Sequence, residues 1–233
     1  VSRIAYEPIV ALAFALAGCT LLLSATTGKR WFFAFLCIAL AFWSYHATKL
    51  FLLLAILAVL FLNRRQIAGQ KRMVTLFCLG MLAVVAAFLV IAKIQGVSRQ
   101  QVFFWNDTAR AAAAVNYERR YNTAPWMLRV LMNNKATYYF RHIRENYLEA
   151  LSTQFLFLYG ETGGLSLLYG TLSRGVLYLV ELPLLFLGIV ALWSKPGKAR
   201  GLVFALLALA PVPAALTFDR SYGMRAIFMI PFL

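Results

Sequence analysis

The sequence predicts an all-α fold: a polytopic transmembrane helical bundle of about seven spans with one long extracytoplasmic loop. Three observations predict it. Hydrophobic residues make up 62% of the chain and charged residues 13%, with a mean hydropathy of +0.75. Soluble domains carry about 45–50% and about 25%. Apolar runs of roughly helical length alternate with short basic turns. One run, Ile94 to Arg174, is too polar for a bilayer; its 81 residues hold five of the eight acidic ones, Asp107, Glu118, Glu145, Glu149 and Glu161. The chain therefore divides into 1–93 with four spans, 94–174 as the extracytoplasmic loop, and 175–233 with three more spans. Cys19, Cys37 and Cys78 all fall in apolar runs and read as small buried hydrophobes, with no disulfide framework or metal-ligand spacing.

The first span runs from about Pro8, which suits a first helical turn, to Thr26. A basic turn, Gly28-Lys29-Arg30, leads to a short second span, Trp31 to about Tyr45. The polar break Ser44-Tyr45-His46-Ala47-Thr48-Lys49 ends it, and a short third span follows from Leu50 to Leu62. Asn63 to Arg72 is the second basic turn, and the fourth span runs from Met73 to about Ala92. In the long loop, Asn106 or Asp107 offers an N-cap for an alanine-rich helix over Ala109–Arg120. Thr123-Ala124-Pro125 restarts a short helix through Met132. A third helix spans Ala136–Leu151, where Tyr139, Ile143, Tyr147 and Leu151 form an apolar-aromatic stripe. Such a helix either lies on a membrane surface or packs on the rest of the loop. Arg141 and Glu145 are spaced for an i,i+4 pair. Thr153–Tyr159 is apolar and too short to span, and Gly160–Gly170 is glycine-rich.

The fifth span, Gly175 to Trp193, contains Glu181 about two turns in, together with Pro183. Ser194–Arg200 is the third basic turn. The sixth span, Gly201–Phe218, carries Pro211 and Pro213. A polar turn, Asp219–Arg225, precedes a seventh apolar run shorter than the ~20 residues a span needs. With no initial methionine and that short last run, the sequence reads as an internal piece of a longer protein.

Alternation places Gly28–Arg30, Asn63–Arg72 and Ser194–Arg200 on one side. These turns hold nine basic residues and no acidic one, so they are cytoplasmic by the positive-inside rule. That rule also accounts for much of the net charge of +15 without a nucleic-acid partner. The long loop, the break at His46 and the Asp219 turn then face outward. The loop also holds the glycosylation sequon Asn106-Asp107-Thr108, a pattern short enough to arise by chance.

Three polar clusters meet that outer face: Tyr45-His46-Lys49, the long loop, and Asp219-Tyr222-Arg225. Ionisable groups at the membrane boundary are costly unless paired or hydrated. Lys49 and Arg225 sit at headgroup depth, where the phosphate of a lipid carrier would lie and an arginine fork could hold it. The plainer reading is snorkelling to the headgroups. His46 suits a phosphate, a metal or a proton relay, or is simply hydrogen-bonded. Glu181 pairs with Arg174 or lines a polar cavity. No nucleophile elbow, phosphate loop, zinc-protease or dinucleotide motif is present in the sequence.

Several stretches, in order, carry a family likeness: Ser2-Arg3-Ile4-Ala5-Tyr6-Glu7; Ser44-Tyr45-His46-Ala47-Thr48-Lys49; Asn146-Tyr147-Leu148 with Phe155-Leu156-Phe157 and Gly160-Glu161; Gly175-Val176-Leu177-Tyr178 with Glu181-Leu182-Pro183 and Gly188; and Pro211 to Thr217 with Asp219 and Arg225. With these the chain resembles the middle and later part of bacterial GT-C-type membrane glycosyltransferases, the group related to protein O-mannosyltransferases and aminoarabinose transferases. The resemblance implies inverting transfer of a sugar from a polyprenyl-phosphate donor to a protein, lipid or glycan acceptor, on the outer face of a bacterial inner membrane. It implies that His46, Lys49 and Arg225 hold the donor phosphate and that Asp219 orients Arg225 or the acceptor. Tyr45, Glu161 and Tyr222 would support the donor or acceptor side. The catalytic carboxylate of such enzymes lies in the first outer loop, which the resemblance places upstream of Val1. Tyr222 stands where relatives often have His, and Tyr is a poor metal ligand, so no cofactor is implied firmly and a divalent metal stays open. A transporter or flippase for lipid-linked glycans, or a non-catalytic binding subunit, is the alternative. A transporter places polar groups through the depth of its spans, whereas here they gather at one face, Glu181 excepted.

Overall fold

The computed structural model describes residues 2–94, 108–160, 175–194, 197–217 and 227–232. Among them there is no β-strand, and the fold is all-α. Helix α1 (Ser2–Leu23) and α2 (Gly28–Ser44) form an antiparallel hairpin closed by small residues. Ala11, Ala15, Cys19 and Leu22 on α1 are buried, as are Ala34, Ile38 and Ala41 on α2. A Cβ on Gly18 would lie 2.5 Å from Ile38 Cγ1, so the backbones approach as closely as glycine permits. Without a hydrophobic effect between helices, this kind of close van der Waals packing is what holds membrane helices together.

Only Tyr45 separates α2 from α3 (His46–Leu62); it is extended, with φ −148° and ψ 142°. Helix α3 is central. It packs on α1, α2 and the late helices α10 (Lys198–Leu209) and α11 (Val212–Ala215). Phe51, Leu52, Ala55, Ile56 and Val59 fill the core between them. Asn63, buried at the far end of α3, donates from Nδ2 to Leu23 O at 3.1 Å and ties the ends of α1 and α3.

Arg64–Ile94 forms one helical run of 31 residues, made of α4 (Arg64–Ile67), a 3-10 turn and α5 (Lys71–Ile94). The second basic turn of the sequence reading is thus largely helical. This run is long and apolar enough to cross a membrane, and only 11% of its most apolar window is buried. Phe77 and Met81 face the bundle, while Leu76, Leu79, Leu82 and Leu89 point outward. Cys78 lies on that exposed side, unlike Cys19, so the reading of all three cysteines as buried is corrected.

The sequence predicts about seven spans, and among the described residues one helix is long and apolar enough to cross a membrane. The other apolar helices, Glu7–Leu23, Thr48–Leu62, Glu181–Ser194 and Arg200–Ala215, are shorter than the ~20 residues a span takes. Local backbone breaks cut the apolar runs. Tyr45 divides the second from the third, and in the run Gly201–Phe218 the regular helix is interrupted at Ala210-Pro211. The fifth run becomes helical only at Glu181, as α9 (Glu181–Ser194). Before it, Leu177 N donates to Leu156 O at 2.7 Å, and a Cβ on Gly175 would sit 2.4 Å from that same carbonyl oxygen. Residues 175–177 are therefore laid against the chain instead of coiling. Glu181, read from the sequence as about two turns into the fifth span, is in the first turn of α9, where its Oε2 accepts from Tyr178 N at 2.9 Å. The seventh run gives a 3-10 helix, Ile227–Phe232, with Phe228 and Met229 buried.

The loop helices are α6 (Thr108–Tyr121), α7 (Trp126–Met132) and α8 (Lys135–Ala150). Helix α8 starts with a capping box in which Asn134 and Thr137 exchange side-chain and backbone hydrogen bonds. Arg141 forms its ion pair with Glu118 on α6, at 2.7 Å, and not the i,i+4 pair with Glu145 that its spacing suggests. Arg119 Nε donates to Asn133 O at 2.7 Å, so α6 is tied to the α7–α8 junction as well as to α8. Phe155, Leu156 and Phe157 form a buried π-helical turn that joins the core.

Candidate functional site

The start of α3 builds a cation on an aromatic floor. Because only Tyr45 intervenes between the helices, His46 and Lys49 share the first turn of α3, three residues apart. Lys49 Nζ lies 3.1 Å from His46 Nδ1. An ammonium can only donate, so Nδ1 is the acceptor, and the ring proton belongs on Nε2. The same Nζ sits 3.9 Å from the centroid of Phe88 and 5.7 Å from that of Phe42. Phe88, on α5, meets Phe42, Trp43 and His46 edge-on at 5.8, 5.9 and 6.4 Å. Tyr45 is half-buried against the core beside them.

Lys49 folds over a ring and against an imidazole, which confines its charge to one place. The cluster brings an ammonium and an imidazole together, side-chain types that suit an oxyanion. Thr48, the residue before Lys49, is fully buried, and its Oγ1 has no hydrogen-bond partner among the described residues.

Of the other sequence-predicted site residues, Glu161, Asp219, Tyr222 and Arg225 lie outside the described residues, as do the Asn106/Asp107 cap, the sequon's first two residues, Arg174 and most of the glycine-rich stretch. The flanks of the 218–226 turn are described. On the entry side, Asn146 of α8 donates from Nδ2 to Thr217 O at 2.9 Å and to Ala215 O at 3.4 Å, with His142 Nε2 3.3 Å away. On the exit side, Phe228 stacks on Phe51 with centroids 4.7 Å apart. Phe228 follows Arg225 by three residues, and Phe51 follows Lys49 by two.

Asn146 stands in a stretch that carries the family likeness, but sequence reasoning gives it no role of its own. The stripe Tyr139-Ile143-Tyr147-Leu151 is only half-buried, and the packed face of α8 lies one residue over, through Asn146 and Ala150. Tyr147 still contributes, donating from Oη to Ala208 O at 2.8 Å. The available signal is His142-Asn146-Ala150 at i, i+4, i+8, two polar residues in register with a small one. Asn146 Oδ1 is buried and has no partner among the described residues.

Among the described residues no three His, Cys, Asp or Glu side chains gather as a metal site would require. A cleft of about 280 Å³ lies elsewhere, among the basic turns, lined by Thr26, Gly28, Gly69, Gln70, Lys71, Arg72 and Met73. No protein-family model, curated protein or solved structure matches the chain.

Proposed function

We propose that the protein is a polytopic membrane glycosyltransferase, of the bacterial inner membrane, that takes its sugar from a polyprenyl-phosphate donor at the outer face. The observation that carries this reading is the held cation: Lys49 Nζ at 3.1 Å from His46 and 3.9 Å above Phe88. The carrier's phosphate would meet Lys49 and the imidazole N–H, and its first isoprene units would meet Phe42, Trp43 and Phe88. Arg225 would add a bidentate fork, with Asp219 and Tyr222 in the same turn and Glu161 and Tyr45 on the supporting or acceptor side. Two anchors support the turn's place in such a site, Asn146 at its entry and Phe228 on Phe51 at its exit. A metal has no assigned ligands in this scheme.

The distribution of charge favours bond-making at a surface over transport. With Glu181 in the first turn of α9, the carboxylate that was the exception in the sequence is at a helix end. Residues 8–28, 31–48 and 50–63 carry no Asp, Glu, Lys or Arg. A carrier for lipid-linked glycans needs polar contacts at mid-depth.

The test is single-turnover transfer by the full-length protein in nanodiscs, using polyprenyl-phosphate sugars radiolabelled in the sugar. Label appearing in a water-soluble or acceptor-bound product supports the proposal. Label that crosses the membrane, or binds, and stays on its carrier identifies a flippase or a binding subunit.

A further inference from the structure

We infer that α7 is a membrane wedge: a short helix that lies in the outer headgroup region and inserts its apolar side chains between anionic lipids. This rests on the membrane reading above, but not on sugar transfer.

Helix α7 is apolar all round and almost wholly uncovered. Trp126, Met127 and Leu131 are 64%, 68% and 68% exposed, and Leu128, Val130 and Met132 are exposed as well. None of its seven residues is buried. A helix that is hydrophobic on every face belongs in a protein core or in lipid, and this one is not in the core. Its single polar member, Arg129, is turned back, donating from Nη1 to Arg119 O at 3.4 Å. The charge is thereby drawn to the α6 side of the helix.

The surrounding charge says what covers it. Between Glu118 and Glu145 the chain has six basic residues, Arg119, Arg120, Arg129, Lys135, Arg141 and Arg144, of which Arg141 is ion-paired to Glu118. Arg120 and Lys135 are exposed on the two flanks of α7. This stretch lies on the side that the positive-inside rule leaves poor in cations, so its basic character needs another cause. Apolar residues with tryptophan, flanked by lysine and arginine, fit the boundary between acyl chains and anionic headgroups. The seat is also at the correct end of the bundle. Helix α8, which follows α7, is hydrogen-bonded to Ala208 and Thr217, at the outward end of α10–α11. Seven residues of helix are about 10 Å long, which suits lying in the headgroup layer and not crossing it.

The experiment uses the full chain with Cys19, Cys37 and Cys78 replaced by alanine, in nanodiscs of phosphatidylcholine and phosphatidylglycerol. A nitroxide is placed at Met127→Cys or Leu131→Cys. Leu82→Cys on α5 is the lipid reference and Asn116→Cys on α6 the aqueous one. Collision rates are measured with oxygen and with a neutral nickel chelate. The expected result is an oxygen-to-nickel ratio at 127 and 131 several-fold above that at 116 and approaching that at 82. An aqueous ratio at 127 and 131, with a lipid ratio at 82, overturns the wedge and leaves the membrane reading standing. Spin–spin broadening at 127, lost when each disc holds one protein, means that a second copy covers α7 and also overturns it. An aqueous ratio at 82 removes the membrane reading itself, and the wedge with it.

Discussion

Lys49→Met separates the charge at the candidate site from everything else about that side chain. Methionine keeps an unbranched apolar stem of similar length over Phe88 and Phe42, so the aromatic floor stays covered. What is lost is the ammonium, its 3.1 Å bond to His46 and its position 3.9 Å above the ring. A half-buried cation–π contact contributes about 1 kcal/mol, which sets the expected loss of fold stability. A hydrogen bond from a charged donor to a phosphate oxygen is stronger, about 1.5–3 kcal/mol, which converts to roughly a 10- to 150-fold loss of affinity. The assay is competition of unlabelled polyprenyl phosphate against a fluorescent polyprenyl phosphate, on full-length protein in nanodiscs. Lys29→Met in the first basic turn serves as the control for net charge. Phe88→Leu should weaken binding by only about 5-fold, since it removes the cation's platform and leaves the cation. If Lys49→Met binds polyprenyl phosphate as the unaltered protein does, the cation is not a phosphate ligand and the proposed site is wrong.

Other outcomes follow from the packing. Asn146→Ala should lower thermal stability by about 2 kcal/mol, because the buried Thr217 and Ala215 carbonyls lose their donor; an unchanged melting temperature in detergent would show that water replaces it without cost. Gly18→Ala should destabilise by about 1–3 kcal/mol through overpacking against Ile38, and Ile38→Ala in the same chain should restore part of it; additive losses would refute the contact. Arg141 and Glu118 are 40% and 30% exposed, so a double-mutant cycle by urea unfolding should give a coupling of only about 0.5–1 kcal/mol. That coupling should fall as salt is added, and a salt-independent value would contradict the screened geometry.

The parts of this fold legible in the sequence are those that depend on where charge cannot go. Basic residues keep out of hydrocarbon, so Lys29 and Arg30, or Arg64 and Arg65, mark the ends of apolar helices whatever the backbone does between them. Backbone detail is not written in hydropathy. Ser44 and Thr48 look like parts of a six-residue break, yet Ser44 Oγ donates to Leu40 O at 2.7 Å and stays helical, leaving only Tyr45 outside. The late start of α9 is decided by Gly175 fitting against the Leu156 carbonyl, a contact between residues that share no local pattern. Arg141 shows the same limit: its spacing suggests Glu145, while its partner is 23 positions away on another helix. At the site, Lys49 and His46 were readable as polar residues at an apolar boundary. Phe88 was not, because an aromatic inside an apolar helix carries no mark of the cation above it.

The single extended residue at Tyr45 has a consequence for how such a chain enters a bilayer. In the membrane arrangement proposed above, two 17-residue helices joined by one residue leave no loop to be threaded across ahead of them, so they would enter together. In that arrangement their junction would carry the Lys49 ammonium to the far side. A lysine at mid-membrane costs about 2.5–3.5 kcal/mol on the insertion scale, and each leucine, isoleucine, phenylalanine or valine offsets about 0.3–0.6 of that. The run Leu50-Phe51-Leu52-Leu53-Leu54, with Ile56 and Leu57, supplies seven such residues directly behind the charge. Three of these, Phe51, Leu52 and Ile56, also fill the core, so in the proposed arrangement one set of side chains would serve both packing and insertion.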